Sequence, residues 1–379
     1  MKRFKPVLLL LLVILTGRNL ASSSHPSVLY HSYTHRASVV RLHQNSLIIS
    51  AVDLNDMHEV PSQEKIIYSS VATARERAGI RKKLQLSAVG WTHPSVLCFN
   101  EKWHGYKYWT AITPFPQLDN QYENPHIFCS DDGVHWKEPV GLHNPIEPCP
   151  RHGYNSDPNL MYSDNILYCY WRSNGIDSGR ALYVKKSKDG VHWFGKRLVC
   201  EWPLKDIDVI APSVVADGNL YYCYGICTGE THPGSYFNTI SIRRMISDNP
   251  EHGFKPVRGK DYTLINIPGR PWGPYQEPWH LEVQKVANLW LMLVTTTNLG
   301  KYGTGGRLFL GYSFDGVNFN FANKPIGIFT GSTYKSSFHP SLNIKRREID
   351  IELWRAMTSD GWTIFHDTFS VKVALSVIA

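Results

Sequence analysis

The sequence predicts an all-β protein, a five-bladed β-propeller with an N-terminal extension. The main observation is an internal repeat that consists of one residue, a proline and then an apolar stretch. The repeat occurs five times, with its prolines at Pro94, Pro158, Pro212, Pro278 and Pro340. A second strand-like run rich in Tyr, Trp and Leu follows each instance, and the period is about 60 residues. Short strands with such a period are typical of propellers built from four-stranded blades.

The repeats assign residues 86–379 to the propeller and residues 22–85 to the extension. Proline suits the first residue of a strand, because its missing N–H need not take part in the ladder. Within the extension, Ser46–Val52 is predicted to be a strand that pairs with the last blade and closes the ring. Such pairing would cover an exposed sheet edge. Val71–Leu84 is predicted to be a short charged helix.

Three repeats share a turn motif, Ser-x-Asp-Gly with an aromatic residue three positions after the glycine. The motif spans Ser130–Trp136, Ser187–Trp193 and Ser313–Phe319. Asp-Gly favours a tight turn, because glycine accepts positive φ and aspartate caps its own turn. We therefore expect these motifs to be structural hairpin turns with no direct role in chemistry.

The first residues of the chain have the pattern of a secretory signal. Lys2, Arg3 and Lys5 precede an apolar run from Val7 to Leu15, and small residues follow near Ala21. The run is shorter than the roughly 20 residues of a membrane span. The sequence therefore predicts a signal peptide over residues 1–21 and a secreted or otherwise exported protein with no stable membrane span after cleavage.

Charge and cysteine usage narrow the functional class. The net charge is +8, but the basic residues are scattered and form no stripe with interleaved aromatics, so nucleic-acid binding is not expected. The seven cysteines contain no CxxC pair and do not have zinc-site spacing. Their disulfide pairing stays open. The 12 Trp and 20 Tyr suit both strands and sugar-binding clefts.

The residue before each repeated proline is expected to reach the central channel, because the innermost strand of every blade faces that channel. These residues are His93, Asp157, Ala211, Glu277 and His339. Asp208, three residues before Ala211, adds a carboxylate in the third blade. Paired carboxyl groups across a channel are what glycoside hydrolysis requires, one protonated and one ionised.

Several segments resemble the five-bladed propeller glycosidases, glycoside hydrolase family 43 and its relatives. Ser156-Asp157-Pro158, Ile207-Asp208 and Gln276-Glu277-Pro278 are similar to the family segments that carry the general base, the pKa-modulating aspartate and the general acid. The resemblance implies that Asp157 is the base or nucleophile, Asp208 the modulator and Glu277 the acid of a secreted glycoside hydrolase. The matching positions fall in the second, third and fourth repeats, whereas the first repeat offers His93. Retaining and inverting mechanisms both stay open.

An oligo- or polysaccharide is the expected substrate. The residues predicted to bind it are His93, Trp91, Asn155, Arg172, Trp272, Tyr275, His280 and His339. No catalytic metal site is predicted and no cofactor is expected to be required. The family resemblance leaves a structural calcium ion in the channel, held by His339 and His93, as an open alternative. The second functional hypothesis is a non-catalytic propeller that binds glycan or protein.

Overall fold

The structure is a computed structural model, and it describes only part of the chain. The described residues are 40–42, 45–65, 67–75, 81–86, 90–150, 153–175, 179–201, 208–228, 241–254, 262–301, 305–327, 333–358 and 361–378. The predicted signal peptide at residues 1–21 lies outside them. No helix in these ranges is long and apolar enough to cross a membrane.

The described residues form five β-sheets and contain two short 3₁₀ helices, Pro116–Leu118 and Asn120–Tyr122, but no α-helix. The strands, in chain order, are β1 (Val40–Leu42), β2 (Asn45–Lys65), β3 (Ile67–Arg75), β4 (Arg81–Leu86), β5 (Trp91–Trp103), β6 (Tyr106–Pro114), β7 (His126–Ser130), β8 (His135–Lys137), β9 (Gly153–Ser163), β10 (Ile166–Gly175), β11 (Gly179–Ser187), β12 (Phe194–Glu201), β13 (Asp208–Asp217), β14 (Leu220–Thr228), β15 (Ser241–Ser247), β16 (Tyr262–Leu264), β17 (Gln276–Val286), β18 (Leu289–Asn298), β19 (Leu308–Ser313), β20 (Asn320–Phe321), β21 (Thr333–Asn343), β22 (Glu348–Met357) and β23 (Thr363–Ile378).

Each sheet is one blade of a propeller. Blade 1 is built on β5–β8, blade 2 on β9–β12, blade 3 on β13–β16, blade 4 on β17–β20 and blade 5 on β21–β23. The innermost strands β5, β9, β13, β17 and β21 each contact the next one around the ring, and β21 contacts β5. The chain is therefore a five-bladed all-β propeller, as the repeat predicted.

The N-terminal strands belong to two different blades. β2 contains Ser46–Val52 and pairs antiparallel with β23 of blade 5. β3 then pairs parallel with β8 of blade 1, and β4 pairs with β3. The helix predicted over Val71–Leu84 is wrong, because its described residues lie in β3 and β4. Val71 and Thr73 are β-branched residues that favour strands, and the antiparallel pairing of β3 with β4 outweighs the helix propensity of the charged residues.

A ring of hydrogen bonds joins the five inner strands around the channel. The bonds run from Leu160 N–H to Ser95 Oγ (2.9 Å), Val214 N–H to Asn159 Oδ1 (2.8 Å), Val283 N–H to Ser213 Oγ (2.9 Å), Ser337 Oγ to Glu282 Oε1 (2.7 Å) and Val96 N–H to Ser337 Oγ (2.8 Å). We call Ser95, Asn159, Ser213, Glu282 and Ser337 the ring residues. Their side chains satisfy backbone or side-chain groups of the neighbouring blade, so they fix how each blade sits against the next.

The Asp-Gly turns connect blades as well as strands. In the first turn, Asp132 Oδ1 accepts the N–H groups of Val134 and His135 at 2.9 and 2.8 Å. Each turn also lies against an aromatic side chain of the preceding blade. The pairs are Gly133 with Trp354, Gly190 with Trp109 and Gly316 with Tyr224. The motif is structural, and part of its structural role is contact between blades.

Gly190→Ala is expected to lower the free energy of unfolding by about 3 kcal/mol or more. Gly190 has a φ of +78°, and an added Cβ would overlap the buried Trp109 ring. The matched control is Gly218→Ala, where φ is +62° but no heavy atom lies within 4 Å of the added Cβ. The control should cost only about 1 kcal/mol of backbone strain. Equal losses of stability in urea unfolding would contradict the proposed packing of the turn.

None of the seven cysteines forms a disulfide, and six of them are buried. Cys129 and Cys169 lie in the same apolar cluster between blades 1 and 2 as Trp109. They act as small core residues.

Candidate functional site

One residue in each blade lies two positions before its ring residue, and we call these five the channel residues. They are His93, Asp157, Ala211, His280 and Lys335, and all five are buried. Their inner strands carry β-bulges beside them, which turn a side chain away from the regular alternation. In blades 1 to 3 the channel residue precedes the repeated proline and has a φ of 55°, 52° and 50° respectively. Such values are uncommon in residues other than glycine and are often found at functional sites.

Three channel residues converge on one point. Asp157 Oδ1 lies 3.3 Å from His93 Nε2 and 3.3 Å from His280 Nε2. The two imidazole rings are 5.3 Å apart, and the Tyr334 ring lies 4.4 Å from that of His280. The three ligand atoms form a group that could hold a metal ion.

The other oxygen of Asp157 is held by a cation. Arg172 Nε donates to Asp157 Oδ2 at 3.0 Å, and Arg172 Nη2 donates to Ser156 Oγ at 3.1 Å. Burial raises the pKa of the Asp157 carboxyl, but His93 and Arg172 outweigh this effect and hold it well below its usual range. Asp157 is therefore a fixed, ionised carboxylate.

His93 is oriented by a hydrogen bond on its far side. Its Nδ1 lies 2.9 Å from Thr113 Oγ1, and that hydroxyl can donate to the Thr92 carbonyl at 3.4 Å. With Nδ1–H donating to Thr113, Nε2 presents its lone pair to Asp157 Oδ1. Burial lowers the pKa of both His93 and His280, which favours the neutral imidazole that binds metals.

The observed geometry fits a divalent cation. Two ligands at about 2.0–2.2 Å from a metal, at tetrahedral to octahedral angles, lie about 3.0–3.4 Å apart. The two Nε2···Oδ1 distances of 3.3 Å fall in this range. Asp157 Oδ1 is buried, and it has no aligned hydrogen-bond partner among the described residues. Two histidines and one carboxylate, with the second imidazole nitrogen of His93 held by Thr113, match the pattern of a catalytic metal site.

A second buried carboxyl lies beside this group. Glu123 Oε1 is 3.6 Å from His93 Nδ1, beyond hydrogen-bond distance. Its loop is fixed because Asn155 N–H donates to the Glu123 carbonyl at 2.9 Å. Asn155 Nδ2 also donates to Asn124 Oδ1 at 3.2 Å. Burial, with the Asp157 charge, raises the pKa of Glu123 to about 8, although Arg172 opposes the shift.

The predicted acid and modulator are not among the three converging residues. Glu277 lies near the start of β17, where its Oε1 accepts the Gly300 N–H at 3.1 Å, and burial raises its pKa. Among the described residues no contact joins it to Asp157. Asp208 begins β13 in the position equivalent to Glu277, three residues before the channel residue, and its side chain lies outside what the structure describes.

The predicted substrate-binding residues divide into two groups. Four lie at the converging group or beside it, namely His93, His280, Arg172 and Asn155, although the Asn155 amide is occupied by Asn124 and the Pro148 carbonyl. Trp91 is not a sugar platform, because it is fully buried against His126 and Phe128. Trp272 packs edge-on against Phe309 and Phe321, and Tyr275 is 80% exposed. His339 is buried on β21, paired with Glu352 on β22.

Sequence reasoning missed Glu123, Lys335 and Tyr334. Glu123 lies on a loop outside the inner strands, and its only signal was an ionisable residue beside Asn124 and Pro125. Lys335 and Tyr334 lie just before the fifth proline repeat, where the pattern indicated His339 as the residue that reaches the channel.

The known proteins that this chain resembles have related folds and are named as enzymes that act on carbohydrates. No protein-family model matches the chain. The A type blood N-acetyl-alpha-D-galactosamine deacetylase of Flavonifractor plautii is 30% identical over 265 residues, which covers 60% of this chain and 34% of that protein. The chain thus spans about a third of the length of this relative.

Two solved structures share the architecture. An N-acetylgalactosamine deacetylase from F. plautii, in complex with blood group B trisaccharide, superposes with a TM-score of 0.63 at 21% identity, covering 85% of this chain and 96% of that one. A thermostable family-43 glycoside hydrolase superposes with a TM-score of 0.50 at 14% identity, covering 77% and 93%. The fold is shared. The five-bladed propeller is thus one that both a sugar deacetylase and a glycoside hydrolase adopt.

Proposed function

We propose that the chain is a glycan-acting hydrolase that removes the acetyl group from an N-acetylated amino sugar. A divalent cation would be held by His93, Asp157 and His280, and Glu123 would act as the general base and acid. The observation that carries the proposal is the convergence of three ligand atoms beside a second carboxyl group, which forms no ion pair with a lysine or arginine among the described residues. Geometry of this kind belongs to metal-assisted hydrolysis.

Each residue of the site has a separate role in the proposed deacetylation. A bound divalent cation supplies Lewis-acid polarisation of the amide carbonyl. Glu123 takes a proton from the attacking water and delivers it to the amide nitrogen as the C–N bond breaks, which yields acetate and the free amine. Arg172 holds Asp157, and Thr113 holds the ring of His93. Tyr334 packs against the ring of His280 and keeps that side of the site apolar.

The similarity to the F. plautii deacetylase supports this proposal at the level of chemistry, because that protein is named as an enzyme that deacetylates an N-acetylated sugar. We extend to this chain only the class of substrate, an oligo- or polysaccharide with an N-acetylated amino sugar. Cleavage of a signal peptide at residues 1–21 and export are further parts of the proposal.

Glycoside hydrolysis is the second candidate, with Asp157 as base, Asp208 as modulator and Glu277 as acid. The raised pKa of Glu277 favours it, because a general acid must stay protonated. Against it, one oxygen of Asp157 is held by Arg172, and the other lies buried between two imidazoles, 3.3 Å from each. A carboxylate held in this way is poorly placed to take a proton from water.

The test is to identify the bond that is cut. The purified protein, loaded with Mn²⁺ or Zn²⁺, is incubated with oligosaccharides that end in N-acetylgalactosamine or N-acetylglucosamine and with matched neutral oligosaccharides. Acetate and a free amine, with no new reducing end, are expected from the N-acetylated set alone. New reducing ends without acetate would replace the proposal by glycoside hydrolysis. Binding without any product would replace it by a non-catalytic glycan-binding propeller.

A further inference from the structure

The fifth channel residue is a lysine. Lys335 is 1% exposed, and its equivalents in the other blades are His93, Asp157, Ala211 and His280. Its Nζ donates to the Pro158 carbonyl at 2.6 Å, next to Asp157. A fully buried ammonium is rare unless it is compensated by nearby negative charge.

Two carboxylates from different blades face this ammonium. Asp157 on β9 and Glu282 on β17 both attract it, whereas burial lowers its pKa. Glu282 Oε1 is held by Ser337 Oγ at 2.7 Å and by Gln284 Nε2 at 3.1 Å, and its Oε2 has no hydrogen-bond partner among the described residues. Where the other ring residues are serine or asparagine, blade 4 has this carboxylate.

The charge of Lys335 also acts on the two histidines of the channel. Its charge opposes protonation of both His93 and His280, as the charge of Arg172 does. With both carboxyl groups ionised, Arg172 and Lys335 balance Asp157 and Glu282 in charge. Burial raises the pKa of Glu282 to about 7, although Lys335 opposes the shift, so near neutral pH the channel carries no excess negative charge before any divalent cation enters it.

We propose that Lys335 is a positioning residue that weakens metal binding at the His93–Asp157–His280 group and keeps the metal-free channel intact. The inference rests on the metal site of the proposed function. A divalent cation entering a balanced channel is repelled by the lysine, and the energy of that repulsion is large in a buried site. The lysine also ties β21 to β9 through Pro158, so the blades stay in place when the metal leaves.

The test measures metal affinity directly, with metal ion alone as the probe. Mn²⁺ and Zn²⁺ are titrated into metal-free wild type, Lys335→Met and Lys335→Gln at pH 8 by calorimetry. Both variants are expected to bind about tenfold more tightly or better, because a repelling charge has been removed. A general structural defect would weaken binding, so an increase separates the two explanations. The glutamine amide can still donate to the Pro158 carbonyl, which preserves the fold if the methionine variant is unstable.

The matched control is Lys185→Met. Lys185 Nζ also donates to a backbone carbonyl, that of Ile146, at 2.6 Å and pairs with Glu147, on the outer part of blade 2. Its variant should bind metal as the wild type does. Unchanged or weaker binding by both folded Lys335 variants would overturn the inference while leaving the metal site standing. If the wild type binds neither ion, the metal-dependent function and this inference fail together.

Discussion

Glu123→Gln is expected to reduce acetate release about 10²–10⁴-fold while the metal affinity and the unfolding midpoint stay near those of the wild type. The amide has the shape of the carboxyl group but cannot accept the proton of the attacking water. Glu123 Oε1 lies 3.6 Å from His93 Nδ1 and makes no close bond to the metal-binding atoms, so its loss should leave them in place. Steady-state acetate release and calorimetric metal titration measure the two properties separately.

Two further variants make this result specific. Glu251→Gln removes a carboxylate that pairs with Arg197 far from the channel, and it should leave acetate release unchanged. Glu277→Gln distinguishes the two candidate reactions, because only glycoside hydrolysis uses it as the acid. A collapse of activity in Glu277→Gln with little effect in Glu123→Gln would assign the catalytic acid to the residue that the family 43 resemblance indicates.

Asp157→Asn is expected to weaken metal binding by at least about 100-fold and to lower the free energy of unfolding by about 3–5 kcal/mol. The variant removes the negative charge beside both imidazoles, and it takes one buried counter-charge from the Arg172 guanidinium. Mn²⁺ titration and urea unfolding of the metal-free protein measure the two effects.

The double variant Asp157→Asn/Arg172→Met separates the two effects. It should regain part of the lost stability, because the buried guanidinium charge is removed together with the carboxylate charge, yet it should not regain metal binding. Recovery of metal binding in the double variant, or no loss of stability in the single one, would contradict the dual role of Asp157.

The sequence predicted the fold because the blade repeat is visible in local patterns of proline, apolar residues and Asp-Gly turns. In blades 1 to 3 the channel residue is the residue directly before the repeated proline. In blades 4 and 5 the position of the proline does not indicate the channel residue. Pro278 precedes the channel residue His280 by two positions, and Pro340 follows Lys335 by five. The β-bulge beside the channel residue does not require proline. The bulge therefore recurs in blades 4 and 5, although the proline stands at a different position there.

Glu123 shows the second limit of sequence reasoning. It reaches the channel from the loop before β7, and it is fixed there by Asn155, which lies 32 residues away on another blade. No local pattern encodes such a contact. The glycosidase interpretation depended on the carboxylates and on short segments that resemble family 43. It treated His280 at the fourth channel position, which changes the chemistry of the site, only as a substrate-binding residue.

The pairing of β2 with β23 affects how the protein must be made. Asn45–Lys65 leaves the ribosome before its partner Thr363–Ile378, and the strands of blades 1 to 4 lie between the two in the chain. Contacts of such large sequence separation form slowly, and an unpaired strand edge is prone to aggregate in the meantime. Blade 5 can be completed only after Thr363–Ile378 has been synthesised, so chaperone demand and expression yield should depend on this pair of strands more than on any single blade.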